Sequence, residues 1–148
     1  MTDYIKQSID IAAPVERVYH ALTNHAEFGS WFRVAIETPF ELGKIARGKV
    51  LHPGFEHVTW QVRIVAMEPP KLFSFTWHPY AVKGDVDYDE EIPTLVEFRL
   101  KATASGTHVT VTESGFDAVP AARRAEAFRM NNGGWEAQMR NIKHHVEG

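Results

Sequence analysis

The sequence predicts an α+β domain in which an antiparallel sheet is covered by one long C-terminal helix. Segments that alternate apolar and polar residues, as strands do, follow one another through most of the chain. Short turns containing Gly or Pro separate these segments, as expected of strands that run up and down in sequence. From Pro120 onward the apolar residues recur instead with the period of a helix.

Length and composition narrow the class of protein. A chain of 148 residues predicts a single domain over residues 1–148. The formal net charge of −3 argues against nucleic acid as a partner, because no basic excess is present to neutralise phosphates. The N-terminus lacks the pattern of a signal peptide, and no apolar run is long enough to cross a membrane. We therefore expect a cytoplasmic protein without membrane insertion.

The N-terminal part contains the first strand and two short helices. Residues 4–11 alternate in polarity and predict a strand. Pro14 suits a first helical turn, and the apolar residues that follow recur at helical spacing. Asn24 is a suitable N-cap for a second short helix that extends to Trp31.

The middle of the chain is a run of strands. Alternation predicts them at 44–52, 57–67, 72–78, 94–103 and 107–113, for a sheet of about six or seven strands in all. Each strand has one apolar face, so the sheet is expected to be covered on one side and wet on the other. The covered face is predicted to include Trp60, Phe75, Phe98 and Val111. The wet face is predicted to include Thr59, Arg63, Glu97, Arg99 and Thr110.

The C-terminal helix has an apolar stripe and an unusual pair of glycines. The stripe runs through Phe128, Trp135 and Met139 and on toward the C-terminus. Gly133 and Gly134 precede Trp135, and each costs a helix roughly 0.5–1 kcal/mol relative to alanine. We interpret the pair as a place where the helix bends and opens a cavity beside Trp135.

Three stretches carry a family resemblance: "IDIAAPVERVYHALT" near the N-terminus, "GTHVTVTESGFD" at 106–117 and "GGWEAQMRNIKHHVE" at 133–147. Through them the chain resembles the START-like, or birch-pollen-allergen-like, superfamily. Within it, the chain is similar to the branch named after the activator of the heat-shock protein 90 ATPase. The resemblance implies a helix-grip fold, in which a curved sheet wraps around the C-terminal helix. It also implies a deep apolar cavity for lipids or other small apolar or aromatic molecules. It does not define a reaction, because such folds host binding, transport and catalysis.

Glu113 is the polar residue that stands out. Strand parity places it with Val109 and Val111 on the covered face, where a carboxylate must be paired or solvated at the sheet edge. Two interpretations remain open. Glu113 either ends the strand and caps the "SGFD" turn, or it is the polar anchor of an otherwise apolar pocket.

The other candidate site residues are mainly large apolar side chains. One helix about 10–12 Å wide does not fill the concavity of such a sheet, so we expect a partly filled cavity. His52 joins the candidates because its strand parity with Val50 favours an inward orientation. The predicted ligand-binding residues are Trp31, His52, Trp60, Phe75, Trp77, Phe98, Val111, Glu113, Phe128, Trp135 and Met139.

No metal site, cofactor or catalytic residue is predicted. The histidine pairs lack metal-ligand spacing with a third partner, and the acidic run at 85–91 lacks the pattern of a calcium loop. "GKIARGKV" resembles a phosphate loop, but it ends in Val50 and continues as a strand. No Ser-His-Asp or paired-carboxylate arrangement is evident.

The leading hypothesis is binding of a small apolar, aromatic or lipid-like molecule between the C-terminal helix and the sheet. One alternative is an enzyme of the polyketide cyclase or hydrolase type that uses the same cavity, which a pairing of Glu113 with His52 would support. Another alternative is a chaperone-associated regulatory module, suggested by the resemblance. We favour a binding protein over an enzyme.

Overall fold

The computed structural model describes residues 4–83 and 88–148. Its strands are β1 (Tyr4–Ile11), β2 (Val34–Ile36), β3 (Ile45–Val50), β4 (Thr59–Glu68), β5 (Leu72–Trp77), β6 (Thr94–Thr103) and β7 (Gly106–Ser114). Its helices are α1 (Val15–Thr23), α2 (His25–Phe32) and α3 (Ala121–Glu147). The strands form one sheet of seven in the order β1-β7-β6-β5-β4-β3-β2, antiparallel throughout. This is the predicted α+β, helix-grip architecture.

Local sequence signals account for most element boundaries. The Asn24 side chain accepts a hydrogen bond from the Glu27 backbone N–H at 3.0 Å and so caps α2. Arg33, in the left-handed region with φ 67°, ends the same helix. The strand β2 was not predicted, because three residues are too few for a periodic pattern.

The predicted strand faces are confirmed. Trp60, Phe75, Phe98 and Val111 are buried, whereas Thr59, Arg63 and Arg99 are exposed. Glu97 and Thr110 also lie on the outer face and are half-buried. The register agrees with these faces, because Phe98 lies opposite Val111 on one side and Phe73 on the other.

One expectation about local structure is wrong. β3 ends at Val50, so His52 lies in the following turn and is exposed rather than inward-facing. α3 is one continuous helix across Gly133 and Gly134, and Gly134 lines a small pocket beside Trp135. A bend of the helix at the glycine pair stays a prediction. A Cβ atom added at either glycine would meet no atom within 4 Å, so neither glycine is required by a close contact. Asp85 and Asp87 of the acidic run lie outside the described residues.

Aromatic rings fill the space between the sheet and the helices. Phe28, Phe75 and Phe98 are completely buried and form a chain of ring contacts. The centroid of Phe75 lies 6.4 Å from that of Phe28 and 6.2 Å from that of Phe98. Phe98 in turn lies 5.6 Å from Trp135 of α3. The interior between the sheet and α3 is therefore packed with rings. The open space lies where β4 and β5 separate.

In the described part of the chain, no helix is both long enough and apolar enough to cross a lipid bilayer.

Candidate ligand-binding site

Glu113 is a fully buried carboxylate at the centre of the candidate site. It belongs to β7 and lies between Ile5 of β1 and Val96 of β6 in the register. Its side chain points to the covered face, as parity predicted, and its exposed fraction is 0%. It therefore does not reach solvent at the sheet edge.

Four neutral side chains donate hydrogen bonds to this carboxylate. Oε1 accepts from Trp135 Nε1 at 2.9 Å and from Asn131 Nδ2 at 3.0 Å. Oε2 accepts from Trp77 Nε1 at 2.7 Å and from Thr94 Oγ1 at 2.5 Å. Two carboxylate oxygens offer about four lone-pair sites, so these donors satisfy the acceptor capacity of an ionised glutamate.

The negative charge of Glu113 has no cationic partner among the described residues, since none of their ion pairs involves it. An unpaired buried charge is costly unless hydrogen bonds replace its hydration. Donors to an ionised acceptor form short, strong bonds, and the four bonds here fit that description. The site is thus a buried anion held by neutral dipoles.

The fold brings these donors together from three elements. Asn131 and Trp135 are four residues apart on α3, so they project from the same face of the helix. Trp77 ends β5 and lies directly opposite Thr94, the first residue of β6. The indoles of Trp77 and Trp135 stack with centroids 5.5 Å apart and an interplanar angle of 27°.

Two pockets share two donors of the Glu113 cluster, Trp77 and Asn131, and are called here the larger and the smaller pocket. A third pocket, of about 360 Å³, is lined by Trp77 together with Arg47 and Arg63. The larger pocket has a volume of about 320 Å³. It lies where β4 and β5 separate, since their pairing begins only at Arg63 and Thr76. The residues on its wall include Trp60, Trp77, Tyr80, Tyr88, Asp89 and Asn131. The smaller pocket, of about 120 Å³, is lined by Phe32, Trp77, Asn131, Gly134, Trp135 and Gln138.

An ion pair fastens one wall of the larger pocket to α3. Arg123 forms a salt bridge with Glu91 at 2.5 Å and donates to the carbonyl of Pro79 at 2.7 Å. Its guanidinium carbon also lies 4.8 Å from the centroid of the Tyr88 ring. These contacts position Tyr88 and the segment that begins at Pro79 beside the start of the helix.

The sequence-predicted residues divide into three groups. Trp77, Glu113 and Trp135 come together in the cluster, and Trp60 lies on the wall of the larger pocket. Others are buried in the packed interior, behind the pockets: Trp31, Phe75, Phe98, Val111 and Met139. Phe128 packs against Phe116 at 5.0 Å and His52 is exposed, so neither lines a described pocket.

Sequence reasoning missed Asn131, Thr94, Tyr80 and Tyr88. A signal for Asn131 exists, because it precedes Trp135 by one helical turn and shares its face. Thr94 was detectable only as the inward-facing first residue of β6, two positions before Val96. The tyrosines belong to an irregular segment without periodicity, so the sequence carried no signal for them.

The polar groups that contact Glu113 are all neutral hydrogen-bond donors. The pairing of Glu113 with His52 is not formed, because His52 is exposed in the turn after β3. Within the described ranges no group of three or more His, Asp or Glu side chains is arranged to hold a metal. One buried side-chain atom among those residues, Trp60 Nε1, has no hydrogen-bond partner.

Comparisons with known proteins agree with the architecture. A family model described as "Activator of Hsp90 ATPase homolog 1-like protein" matches residues 12–147. A search of curated protein sequences gave no significant match.

Several solved structures share the fold at low sequence identity. A Mesorhizobium loti protein is 22% identical with a TM-score of 0.75, over 97% of this chain and 96% of that one. The Aha1 dimer from Colwellia psychrerythraea is 19% identical with a TM-score of 0.74, over 99% of this chain and 97% of that one. DynU16, a protein of the dynemicin biosynthetic locus, is 19% identical with a TM-score of 0.74, over 99% of this chain but 48% of that one.

Proposed function

The chain belongs to the family of activator of Hsp90 ATPase homolog 1-like proteins, and we propose that it binds a small apolar or aromatic molecule in the larger pocket beside Glu113. The observation that carries this proposal is the pocket itself, about 320 Å³ in volume and walled by aromatic side chains. Small-molecule sites typically measure about 300–1,000 Å³ and combine an apolar wall with a few placed polar groups.

The wall of the larger pocket supplies both kinds of contact. Trp60, Trp77, Tyr80 and Tyr88 offer ring surfaces for an apolar or planar ligand. Asn131 supplies a polar group, and its orientation is fixed by the hydrogen bond to Glu113 at 3.0 Å. In this arrangement Glu113 acts through Trp77 and Asn131, which it holds in place, rather than by touching the ligand.

A filling variant tests the proposal. Ala81 lies on the wall of the larger pocket, so Ala81→Phe should occupy space that the ligand needs. Ala122→Phe is the matched control, because Ala122 is exposed on α3 and lines none of the described pockets. We expect the neutral apolar dye N-phenyl-1-naphthylamine to bind saturably, with a Kd raised about tenfold or more by Ala81→Phe and unchanged by Ala122→Phe.

Two results would refute the proposal. One is the absence of saturable dye binding to the unmodified protein together with no small molecule seen by native mass spectrometry of freshly purified protein. The other is equal affinity in the unmodified protein and Ala81→Phe, which would place the dye elsewhere.

A second candidate function is contact with a heat-shock protein 90 chaperone. The family description favours it, since the family is named after an activator of that ATPase. Co-precipitation of purified chaperone and a change in its ATPase rate would support this candidate. If both effects persist in Ala81→Phe, the contact uses a surface other than the larger pocket.

A further inference from the structure

The charge next to the larger pocket is negative and uncompensated. Glu113 touches Trp77 and Asn131, and both of these side chains also line the pocket. The other donors, Trp135 and Thr94, are neutral as well, so among the described residues no cation contacts the carboxylate directly. In a poorly solvated interior such a field is screened much less than at the surface.

The pocket wall strengthens the preference for positive charge. The faces of Trp and Tyr rings are the negative end of the ring quadrupole and attract cations within about 6 Å. The Trp77 N–H donates to the carboxylate at 2.7 Å, which polarises the indole and adds electron density to its ring.

Arginine side chains border the pocket, since Arg47 and Arg63 line the neighbouring pocket that shares Trp77 with it. Among the described residues on its wall there is no lysine or arginine. His78 is on the wall, and its Nε2 lies 2.9 Å from the carbonyl oxygen of Glu91. Arg123 contacts the Tyr88 ring but is paired with Glu91. Arg47, on the outer face of the sheet, donates to Gln61 at 2.8 Å.

From the aromatic wall and the buried uncompensated carboxylate, we propose that the ligand of the larger pocket is an organic cation with an apolar body, such as an aryl or alkyl ammonium. This inference rests on the proposed function, since it names the ligand class of the same pocket. The ammonium group would lie against the faces of Trp60 and Trp77, and the apolar part would face the remaining wall.

Three probes of the same shape and different charge test the inference. They are phenyltrimethylammonium, the neutral isostere tert-butylbenzene and the anion benzenesulfonate. Binding is followed through the indole N–H signals of protein labelled with ¹⁵N-tryptophan. Trp60, Trp77 and Trp135 report on the site, and Trp31 is an internal control because its Nε1 donates to the Ala21 carbonyl, away from both pockets.

We expect the cation to bind at least tenfold more tightly than the neutral isostere, with the anion weakest, and to shift the Trp77 signal more than the Trp31 signal. Equal or tighter binding of the neutral probe or of the anion would overturn the inference but leave the proposed function standing. If no probe shifts the signals of Trp60, Trp77 or Trp135, both the inference and the proposed function fail.

Two further measurements test whether the preference for a cation comes from the Glu113 charge and the tryptophan ring faces. Glu113→Gln removes the charge and keeps the shape, so the ratio of cation to neutral affinity should fall toward one. Because this variant alters a buried cluster, a second measurement uses the unmodified sequence with 5-fluorotryptophan, which withdraws electron density from the ring faces. Affinity for the cation should fall severalfold, with little change for the neutral probe. An unchanged ratio in the fluorinated protein would contradict the inference.

Discussion

Glu113 and Glu27 each hold several elements of this molecule together, but with partners of different kinds. Glu113 is fully buried and is bound by neutral donors from α3, β5 and β6. Glu27, on α2, keeps 23% of its side chain exposed and is bound by groups that carry or can accept positive charge. Arg17 Nη1 lies 2.8 Å from its carboxylate, His145 Nε2 lies 2.9 Å and His20 Nε2 lies 3.0 Å from it.

The contrast shows what each arrangement achieves. At Glu27 the charge is paired with the Arg17 guanidinium and is partly exposed to water, so the carboxylate joins α1, α2 and the end of α3 while its field is screened. At Glu113 the dipoles satisfy the oxygens but leave the net charge in place beside a pocket. Glu27 therefore serves assembly, whereas Glu113 serves assembly and also determines the electrostatics of the site.

Replacing Glu113 is expected to have the largest effect on the free energy of unfolding. Glu113→Leu would remove the acceptor of the buried Trp135 indole N–H and of the half-buried Trp77 and Asn131 donors. Each unsatisfied donor costs about 1–3 kcal/mol, so we expect a loss of roughly 3 kcal/mol or more in the free energy of unfolding. Glu27→Leu, at the partly solvated cluster, should cost about 1 kcal/mol or less. Urea denaturation measures both, and equal losses would remove the distinction between the two glutamates.

The next effect concerns two buried indoles, only one of which has a partner. Trp135→Phe removes a hydrogen bond to the Glu113 carboxylate, whereas Trp60→Phe removes an N–H that has no partner. Hydrogen bonds to charged groups contribute about 1.5–3 kcal/mol, so Trp135→Phe should be more destabilising by about that amount. The same denaturation measurement compares them, with ring size matched. A greater cost for Trp60→Phe would mean that ring packing outweighs the carboxylate.

The glycine pair lies between the two α3 residues that bind Glu113. Since Gly133 and Gly134 are helical, exposed and free of neighbours within 4 Å of a Cβ, alanine at each should stabilise the protein by about 0.4–1 kcal/mol. Thermal unfolding of the single and double alanine variants checks the gain. A lower Tm would show that the helix needs flexibility there to hold Asn131 and Trp135 in place.

Leucine substitutions at Gly133 and Gly134 distinguish an effect on stability from an effect on ligand binding. Gly134 lines the smaller pocket and Gly133 does not, so Gly134→Leu should fill that pocket while Gly133→Leu serves as the control. Both should raise Tm. A ligand that extends from the larger pocket into the smaller one would lose affinity in Gly134→Leu alone. Equal affinities in the two variants would confine the ligand to the larger pocket.

The smallest effect is a dependence of stability on pH at Glu27. Burial alone would raise the pKa of Glu27, but hydrogen bonds from His145 and Arg17 and the charges of Arg17 and His20 outweigh it and lower the pKa. A carboxyl with a lowered folded-state pKa contributes stability that is fully present above its unfolded-state pKa, about 4.3. That contribution is lost as the pH falls through the folded-state pKa. Glu27→Gln should therefore reduce stability at pH 6 but not at the acidic end of the range.

Salt provides the control for the pH experiment. The Glu27 contribution should shrink in high salt, because its partners are partly exposed and are screened. The cost of Glu113→Leu should change little with salt, because the carboxylate is fully buried and its donors are neutral. Equal salt sensitivity at both glutamates would contradict the comparison.

The sequence by itself determined the features that depend on local periodicity. Alternation placed Trp60, Phe75, Phe98, Val111 and Glu113 on the covered face, because successive side chains of a strand point to opposite sides. Helical spacing put Trp135 and Met139 on the buried stripe of α3, and Asn24 marked the start of α2. These signals lie within a few residues of one another, so they could be read without knowing the partner strands.

The tertiary structure alone decided how these surfaces meet. The donors to Glu113 lie 18 to 36 residues away in the chain, and only the register of β5, β6 and β7 and the position of α3 bring them to one carboxylate. The sequence pattern also could not decide whether the space between the sheet and α3 is hollow or packed. That outcome depends on how aromatic rings from different elements pack against one another. The rings of Phe28, Phe75 and Phe98 close the interior. The remaining space lies beside Trp77, where β4 and β5 separate and no periodic signal marks the gap.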